Sequence, residues 1–176
     1  MRKEMFNGEM NKKQYKHNKK LKKYAIKIVI VLQKLFLYSG GKIVKSYPVS
    51  TSRYGVGNKF GSNKTPLGLH RITGKFGRNA RLGAIFKKRR DTGKIIQPGA
   101  KGDLVTTRIL RLEGLEKGVN KGKGIDSFQR CIYIHGTPEE KLIGKPVSHG
   151  CIRMKNRDII KLFAIVKRGV LVEINR

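Results

Sequence analysis

The chain has 176 residues, of which 38% are hydrophobic, and 41 Lys and Arg against 11 Asp and Glu give it a formal charge of +30. This length supports one domain with a hydrophobic core and argues against two. The two cysteines exclude a disulfide framework, and no apolar run reaches the roughly 18 residues that a transmembrane helix needs. The charge favours a polyanionic partner such as nucleic acid, anionic lipid or a cell-wall polymer, but an excess of lysine on solvated faces explains it equally well.

The N-terminal residues 1–24 are predicted to form a basic, flexible arm, because they are polar and self-repelling. The apolar segment Ala25–Tyr38 behind this arm has the position of an export signal. However, it is interrupted by Lys27, Gln33 and Lys34, and no small-residue cleavage site follows it. We therefore expect no clear signal peptide here and interpret the segment as the beginning of a β-sheet.

Residues 25–176 are predicted to form one mainly β domain, because short β-branched runs alternate with many glycines. The predicted strands cover residues 26–32, 34–38, 43–49, 69–72, 104–112, 131–134 and 170–174, and residues 76–102 are predicted as loop with short strand pieces. One helix is predicted from Asn156 to Arg168, with Asn156 as its cap and Gly169 as its stop.

The residues suited to chemistry cluster late in the chain, at His135, His149 and Cys151. A cysteine attacks as a thiolate and needs a neighbouring base to take its proton, for which histidine is suited by its pKa. His149 lies two positions before the cysteine, whereas His135 ends a different strand and is free to face the thiol from there. Gly150 allows the tight backbone turn of an oxyanion hole, and Arg153 supplies a fixed charge for a carboxylate.

Several segments together resemble the L,D-transpeptidase (YkuD-type) family. The most specific are IHG at 134–136 and SHGCIRM at 148–154. The segment LQKLFLYSGGK resembles the opening hairpin of the family, YPVST and TPLG resemble its next landmarks, and LIGKPV leads into the SHGC motif. The resemblance covers about residues 26 to 175.

The resemblance implies an L,D-transpeptidase-like β-sandwich with a helix following the catalytic cysteine. Cys151 would be the nucleophile and His135 the base, with the Gly136 carbonyl holding the imidazole. The enzyme would attack a peptidoglycan stem peptide at its third residue, release the terminal D-Ala and hold a thioester. An amine acceptor would then give a 3-3 cross-link or an anchored protein. No cofactor is expected, and the location expected from the family is the cell envelope or periplasm.

The resemblance also implies supporting roles for four residues of the SHGCIRM segment. His149 and Gly150 would shape the oxyanion hole, and Ser148 belongs to the same oxyanion and substrate site. Arg153 would organise the pocket or meet a carboxylate of the stem peptide. Peptidoglycan stem peptides are therefore the expected partner, with anionic envelope polymers as a further one, and no specific nucleic acid is expected.

Three alternatives remain open at the level of sequence. Water as the acceptor would make the enzyme an L,D-carboxypeptidase, and the charge alone is compatible with a non-enzymatic protein that binds polyanions. A zinc site from Cys131, His135, His149 and Cys151 is chemically possible, but we expect no metal. Cys131 is predicted to be a small buried hydrophobic residue on an apolar strand, and His70 to be structural or exposed.

Overall fold

The computed structural model describes residues 24–176, which form ten β-strands, one α-helix and a short 3-10 turn. In chain order the strands are β1 (Tyr24–Val29), β2 (Lys34–Ser39), β3 (Lys42–Pro48), β4 (Gly68–Phe76), β5 (Ala84–Lys87), β6 (Arg90–Ile95), β7 (Val105–Gly114), β8 (Tyr133–Gly136), β9 (Ile152–Met154) and β10 (Leu171–Asn175). The 3-10 turn spans Glu140–Leu142, and the helix α1 spans Asn156–Ile165. The expected mainly β fold with a helix after Cys151 is confirmed.

All ten strands are joined by hydrogen bonds into one sheet, with the order β3-β2-β1-β10-β4-β7-β5-β6 and with β8 and β9 branching from β7. The pairs β1–β10 and β8–β9 are parallel, and the other pairs are antiparallel. Strands that are far apart in this order share one core, since Leu35 of β2 and Met154 of β9 lie in the same buried cluster. The sheet therefore curves around its core.

The helix α1 closes this core with Ile159, Leu162 and Phe163. Its C-terminal end is held by Lys75 of β4, whose Nζ donates to the carbonyls of Phe163 at 2.6 Å and Val166 at 2.5 Å. A lysine at this end satisfies carbonyls that lack a helical partner and complements the helix dipole. Among the described residues no helix is long and apolar enough to cross a membrane.

The structure corrects three details of the predicted elements. The first strand ends at Val29 rather than Leu32, because Gln33 takes a positive φ of 47° in the turn to β2 and its amide donates to the Ile30 carbonyl at 2.7 Å. The helix ends at Ile165 rather than Arg168. Cys131 lies half-buried in the turn before β8, with a φ of 56°, so its assignment to a buried strand was wrong. The predicted arm, apart from Tyr24, lies outside the described residues.

Asn156 is not the helix cap that the sequence predicts. Lys155 occupies the cap position, and the Asn156 side chain is buried among polar groups instead. Its Oδ1 accepts from the hydroxyls of Thr106 at 2.7 Å and Thr107 at 2.6 Å. Its Nδ2 donates to the Thr137 carbonyl and to Glu140 Oε1, both at 2.9 Å. This amide thereby links β7, the end of β8, the 3-10 turn and α1.

We expect Asn156→Ala to lower the free energy of unfolding by at least about 2 kcal/mol, because it leaves buried donors and acceptors without partners. The measurement is urea denaturation followed by circular dichroism. Arg157→Ala is the matched control, since Arg157 is exposed on the same helix and its loss should change stability by less than about 0.5 kcal/mol. Equal stabilities for the two variants would contradict the role of Asn156.

Candidate active site

The parallel pairing of β8 with β9 determines which side chains share a face of the sheet. Ile134 lies beside Ile152, and His135 lies beside Arg153. Because successive side chains of a strand point to opposite faces, the two isoleucines enter the main core while His135 and Arg153 lie on the other face. Cys151, two positions before Arg153, packs on that second face with Tyr133 of β8 and with Cys131. The sheet thus brings the predicted nucleophile and base to one surface.

His135 is held in one orientation by the backbone carbonyl of the next residue, Gly136. Its side chain is 1% exposed, and Nδ1 lies 2.7 Å from the Gly136 carbonyl oxygen. A carbonyl can only accept, so Nδ1 carries the proton and Nε2 keeps its lone pair. Burial lowers the pKa of His135 to about 4, even though the Gly136 carbonyl and the charge of Asp103 act in the opposite direction. The imidazole is therefore a neutral base at physiological pH.

Gly136 has no room for a larger residue. A Cβ at this position would lie 2.7 Å from the Thr106 carbonyl oxygen and would also clash with Asn156 Oδ1. The absence of a side chain lets β7 and the Asn156 amide pack closely against the segment that holds the imidazole.

Cys151 lies in the turn that enters β9 and is half-buried. Its Sγ lies 3.5 Å from the Cys131 carbonyl oxygen. Burial raises the pKa of the Cys151 thiol to about 12, although a hydrogen bond from the Tyr133 backbone opposes the shift. No hydrogen bond joins this thiol to His135 within residues 24–176. The thiol, in the turn before β9, and the imidazole, on β8, are therefore both neutral at rest.

The turn before the cysteine is shaped by Ser148 and Gly150. Ser148 is buried, and its hydroxyl donates to the Cys151 carbonyl at 2.6 Å and accepts from the Gly150 N–H at 3.2 Å. Gly150 has a φ of +121°, which favours glycine, and its carbonyl accepts from the Thr65 hydroxyl at 3.1 Å. The Gly150 N–H is thus occupied, while the Cys151 N–H donates to no group in the described part of the chain.

Arg153 is 1% exposed and is paired with two carboxylates. Its Nη1 lies 2.8 Å from Glu139 Oε2, and its Nη2 lies 2.6 Å from Asp103 Oδ1. This arrangement favours the first of the two roles that the resemblance implies, the organisation of the pocket, over direct contact with a substrate carboxylate.

His149 contacts Asp103 and Tyr54. It is exposed, its Nδ1 is hydrogen-bonded to Asp103 Oδ2, and its ring packs against Tyr54 with 5.7 Å between the centroids. Burial acts to raise the pKa of Asp103, but Arg153 and His149 outweigh it and hold this pKa below its usual value. His149 therefore forms one wall of the site together with the loop that carries Asp103.

The sequence interpretation missed three polar residues of the site: Asp103, Glu139 and Arg130. The first two neutralise Arg153. Because the chain has 11 acidic residues against 41 basic ones, each acidic residue could have been considered as the partner of a buried cation. Arg130 is half-buried, donates to the carbonyls of Gly57 at 3.1 Å and Lys64 at 2.5 Å, and interacts electrostatically with Cys151. It attaches the 57–65 loop to the segment that precedes Cys131 and β8.

The four residues considered as a possible zinc site, Cys131, His135, His149 and Cys151, are not arranged as metal ligands. Within residues 24–176 no group of three His, Cys, Asp or Glu side chains has an arrangement that could hold a metal ion. His70 is fully buried in β4, with Nδ1 2.9 Å from the Gly68 carbonyl oxygen and Nε2 2.9 Å from the Ser127 hydroxyl. This arrangement matches the structural alternative for His70.

The raised pKa of the Cys151 thiol predicts slow reaction with simple alkylating agents. Because only the thiolate reacts, iodoacetamide should modify Cys151 more slowly than free cysteine at pH 8, and the rate should still increase above pH 9. The measurement uses the Cys131→Ser variant, in which Cys151 is the one remaining cysteine, and follows the adduct by intact-mass spectrometry. A rate that is already constant below pH 8 would show a resting thiolate–imidazolium pair and contradict the neutral pair.

Comparison with known proteins finds relatives that are named as L,D-transpeptidases. The putative L,D-transpeptidase YkuD of Bacillus subtilis (strain 168) is 58% identical over 43 residues, which cover 24% of this chain and 26% of that protein. The putative L,D-transpeptidase YqjB of the same organism is 46% identical over 50 residues, which cover 28% of this chain and 27% of that protein. These matches therefore span about a quarter of each relative.

Solved structures show the fold over most of the chain. An L,D-transpeptidase from Mycobacterium smegmatis matches 88% of this chain and 59% of its own with a TM-score of 0.53 and 17% identity. L,D-transpeptidase 3 from Mycobacterium tuberculosis, in complex with a faropenem-derived adduct, matches 88% of this chain and 60% of its own with a TM-score of 0.53 and 17% identity. A family model for the L,D-transpeptidase catalytic domain matches residues 23–174. The chain belongs to the YkuD family of L,D-transpeptidase catalytic domains.

Proposed function

We propose that this protein is a cysteine acyltransferase that carries out L,D-transpeptidation on peptidoglycan stem peptides. The observation that carries the proposal is the buried, neutral His135, whose Nε2 lone pair is left available on the same face of the sheet as the Cys151 thiol. A neutral base next to a neutral thiol suits a reaction in which the proton moves only as the nucleophile attacks. The family assignment supplies the substrate class.

In the first half-reaction, Sγ of Cys151 attacks the carbonyl carbon of the third stem residue while Nε2 of His135 takes the thiol proton. The carbonyl oxygen gains negative charge in the tetrahedral intermediate. The C–N bond to the terminal D-Ala then breaks, and His135 returns the proton to the departing amine. The products are a thioester on Cys151 and free D-Ala.

In the second half-reaction, an amine attacks the thioester carbonyl. His135 takes a proton from this amine, the C–S bond breaks, and the proton goes to the departing Sγ. An acceptor amine on another stem peptide yields a 3-3 cross-link, and an amine on a protein yields an anchored protein. Water in place of the amine would give L,D-carboxypeptidase action.

Backbone N–H groups of the turn around Cys151 are the best placed donors to stabilise the oxyanion. The Gly150 N–H is already bonded to Ser148, so the Cys151 N–H is the group of this pair that remains to donate. Preorganised donors of this kind contribute about 10²–10³-fold to the rate. The two hydrogen bonds of Ser148 keep the turn in this conformation, and the Asp103–His149 pair borders it.

The location and partners of the protein follow from the proposed chemistry. Peptidoglycan stem peptides require action in the cell envelope. The formal charge of +30 suits a protein that works among anionic envelope polymers, because a field of one sign raises the local concentration of polyanions.

We expect Cys151→Ala to abolish thioester formation with a tetrapeptide donor or a carbapenem, because it removes the attacking sulfur. His135→Gln should slow acylation by about 10²–10⁴-fold, since it removes the general base. Intact-mass spectrometry measures the covalent adduct, and Cys131→Ser is the control that should retain it. Adduct formation by Cys151→Ala at the wild-type rate would overturn the mechanism.

To identify the acceptor, purified protein is incubated with disaccharide tetrapeptides, and the reaction products are separated by chromatography. Transpeptidation predicts dimers that accumulate with the D-Ala released, because the thioester then reacts with an amine. Trimmed tripeptides without dimers would establish the carboxypeptidase instead. Polyanion binding without any thiol-dependent product would favour the non-enzymatic alternative.

A further inference from the structure

The hairpin of β5 and β6 has an unusual tip. Lys87 pairs with Arg90, so the turn consists of Lys88 and Arg89, with φ values of 50° and 68°. Two-residue turns with positive φ at both positions strongly favour Asn-Gly, and non-glycine residues are strained there. All four residues of the tip, Lys87–Arg90, are basic; Arg89 is half-buried and the other three are exposed. Glycine would relieve this strain, so the basic side chains at the tip are candidates for binding a ligand.

Arg89 links this tip to the catalytic surface. It is half-buried, and its Nη1 donates to the Tyr133 hydroxyl at 3.1 Å. Its guanidinium also interacts electrostatically with the Cys131 thiol. The Cys131 carbonyl lies 3.5 Å from Sγ of Cys151. Tyr133 and Cys131 therefore lie between the Arg89 side chain and the nucleophile.

The other guanidinium groups near Cys151 are already engaged. Arg153 is buried between Asp103 and Glu139. Both Nη atoms of Arg130 donate to backbone carbonyls of the 57–65 loop. Arg89 has contacts only to Tyr133, Cys131 and the ring of Phe76 within the described residues, and no carboxylate pairs with it. A guanidinium has five N–H donors, so Arg89 retains the capacity for a bidentate contact.

We propose that Arg89 binds the terminal carboxylate of the donor stem peptide and thereby selects donors that end one residue beyond the attacked carbonyl. The assignment rests on the proposed function, in which the leaving residue carries a free carboxylate. Arg89 reaches the surface that carries Cys151 through the Tyr133 hydroxyl, because Tyr133 and Cys151 pack in the same cluster. The terminal carboxylate of the donor is the group that an unpaired guanidinium beside this surface would bind.

The test compares two synthetic donors that differ only at the C-terminus, a tetrapeptide acid and its C-terminal amide. The second-order rate constant of thioester formation is measured for each donor by mass spectrometry of samples quenched at successive times. Wild-type protein should prefer the acid by about 10- to 100-fold, the range for a charge-assisted hydrogen-bonded pair. Arg89→Gln should lose this preference by slowing the acid while leaving the amide unchanged. Arg89→Lys should retain part of it.

Lys94→Gln is the matched control, because Lys94 is exposed on β6 of the same hairpin and its loss removes the same charge. This variant should keep the wild-type ratio of acid to amide. An unchanged ratio in Arg89→Gln would overturn the assignment. An equal decrease for both donors would also overturn it, since that result indicates a structural role. Failure of the wild-type protein to form a thioester with either donor would instead overturn the proposed function.

Discussion

The parallel pairing of β8 with β9 is the constraint on which the rest of the site depends. It places Ile134 and Ile152 in the core and leaves His135, Cys151 and Arg153 on the opposite face. A shift of one residue in this register would exchange the two faces and place the side chains of His135 and Arg153 in the core. Burial of the two isoleucines in the core therefore also determines that His135 and Arg153 lie on the opposite face, because only one register buries both isoleucines.

The buried guanidinium of Arg153 determines how the surrounding loops are arranged. A charge with 1% exposure is tolerated only when it is paired, and removing one partner of a buried pair typically costs about 3–5 kcal/mol. Asp103 and Glu139 come from separate segments, and both must reach Arg153. Because Asp103 also holds His149, the same charge orders a wall of the site. Three of the 11 acidic residues, Asp103, Glu139 and Glu140, are used in this region.

Local patterns predicted the parts of the site that are local in the chain. The strand that carries His135 and the turn around Cys151 could be predicted because their signals lie within a few residues. The Asp103–His149 contact spans 46 residues and the Thr106–Asn156 bond spans 50, so neither leaves a periodic signal. Asn156 was predicted as a cap because its local sequence permits that role, and tertiary partners took its side chain instead. The Lys88–Arg89 turn lacks the glycine by which such turns are recognised.

The guanidinium groups around Cys151 differ in how far neighbouring carboxylates neutralise them. A guanidinium that contacted Cys151 directly would favour a resting thiolate, whereas burial keeps the thiol neutral, with a pKa of about 12. Arg153 is neutralised by its carboxylates, so it orders the site without adding a free positive charge. Arg89 has no carboxylate partner among the described residues and reaches this surface through the Tyr133 hydroxyl, so it is the guanidinium that we propose to bind a substrate carboxylate. In the proposed mechanism the thiol proton therefore moves to His135 only when Cys151 attacks the bound substrate.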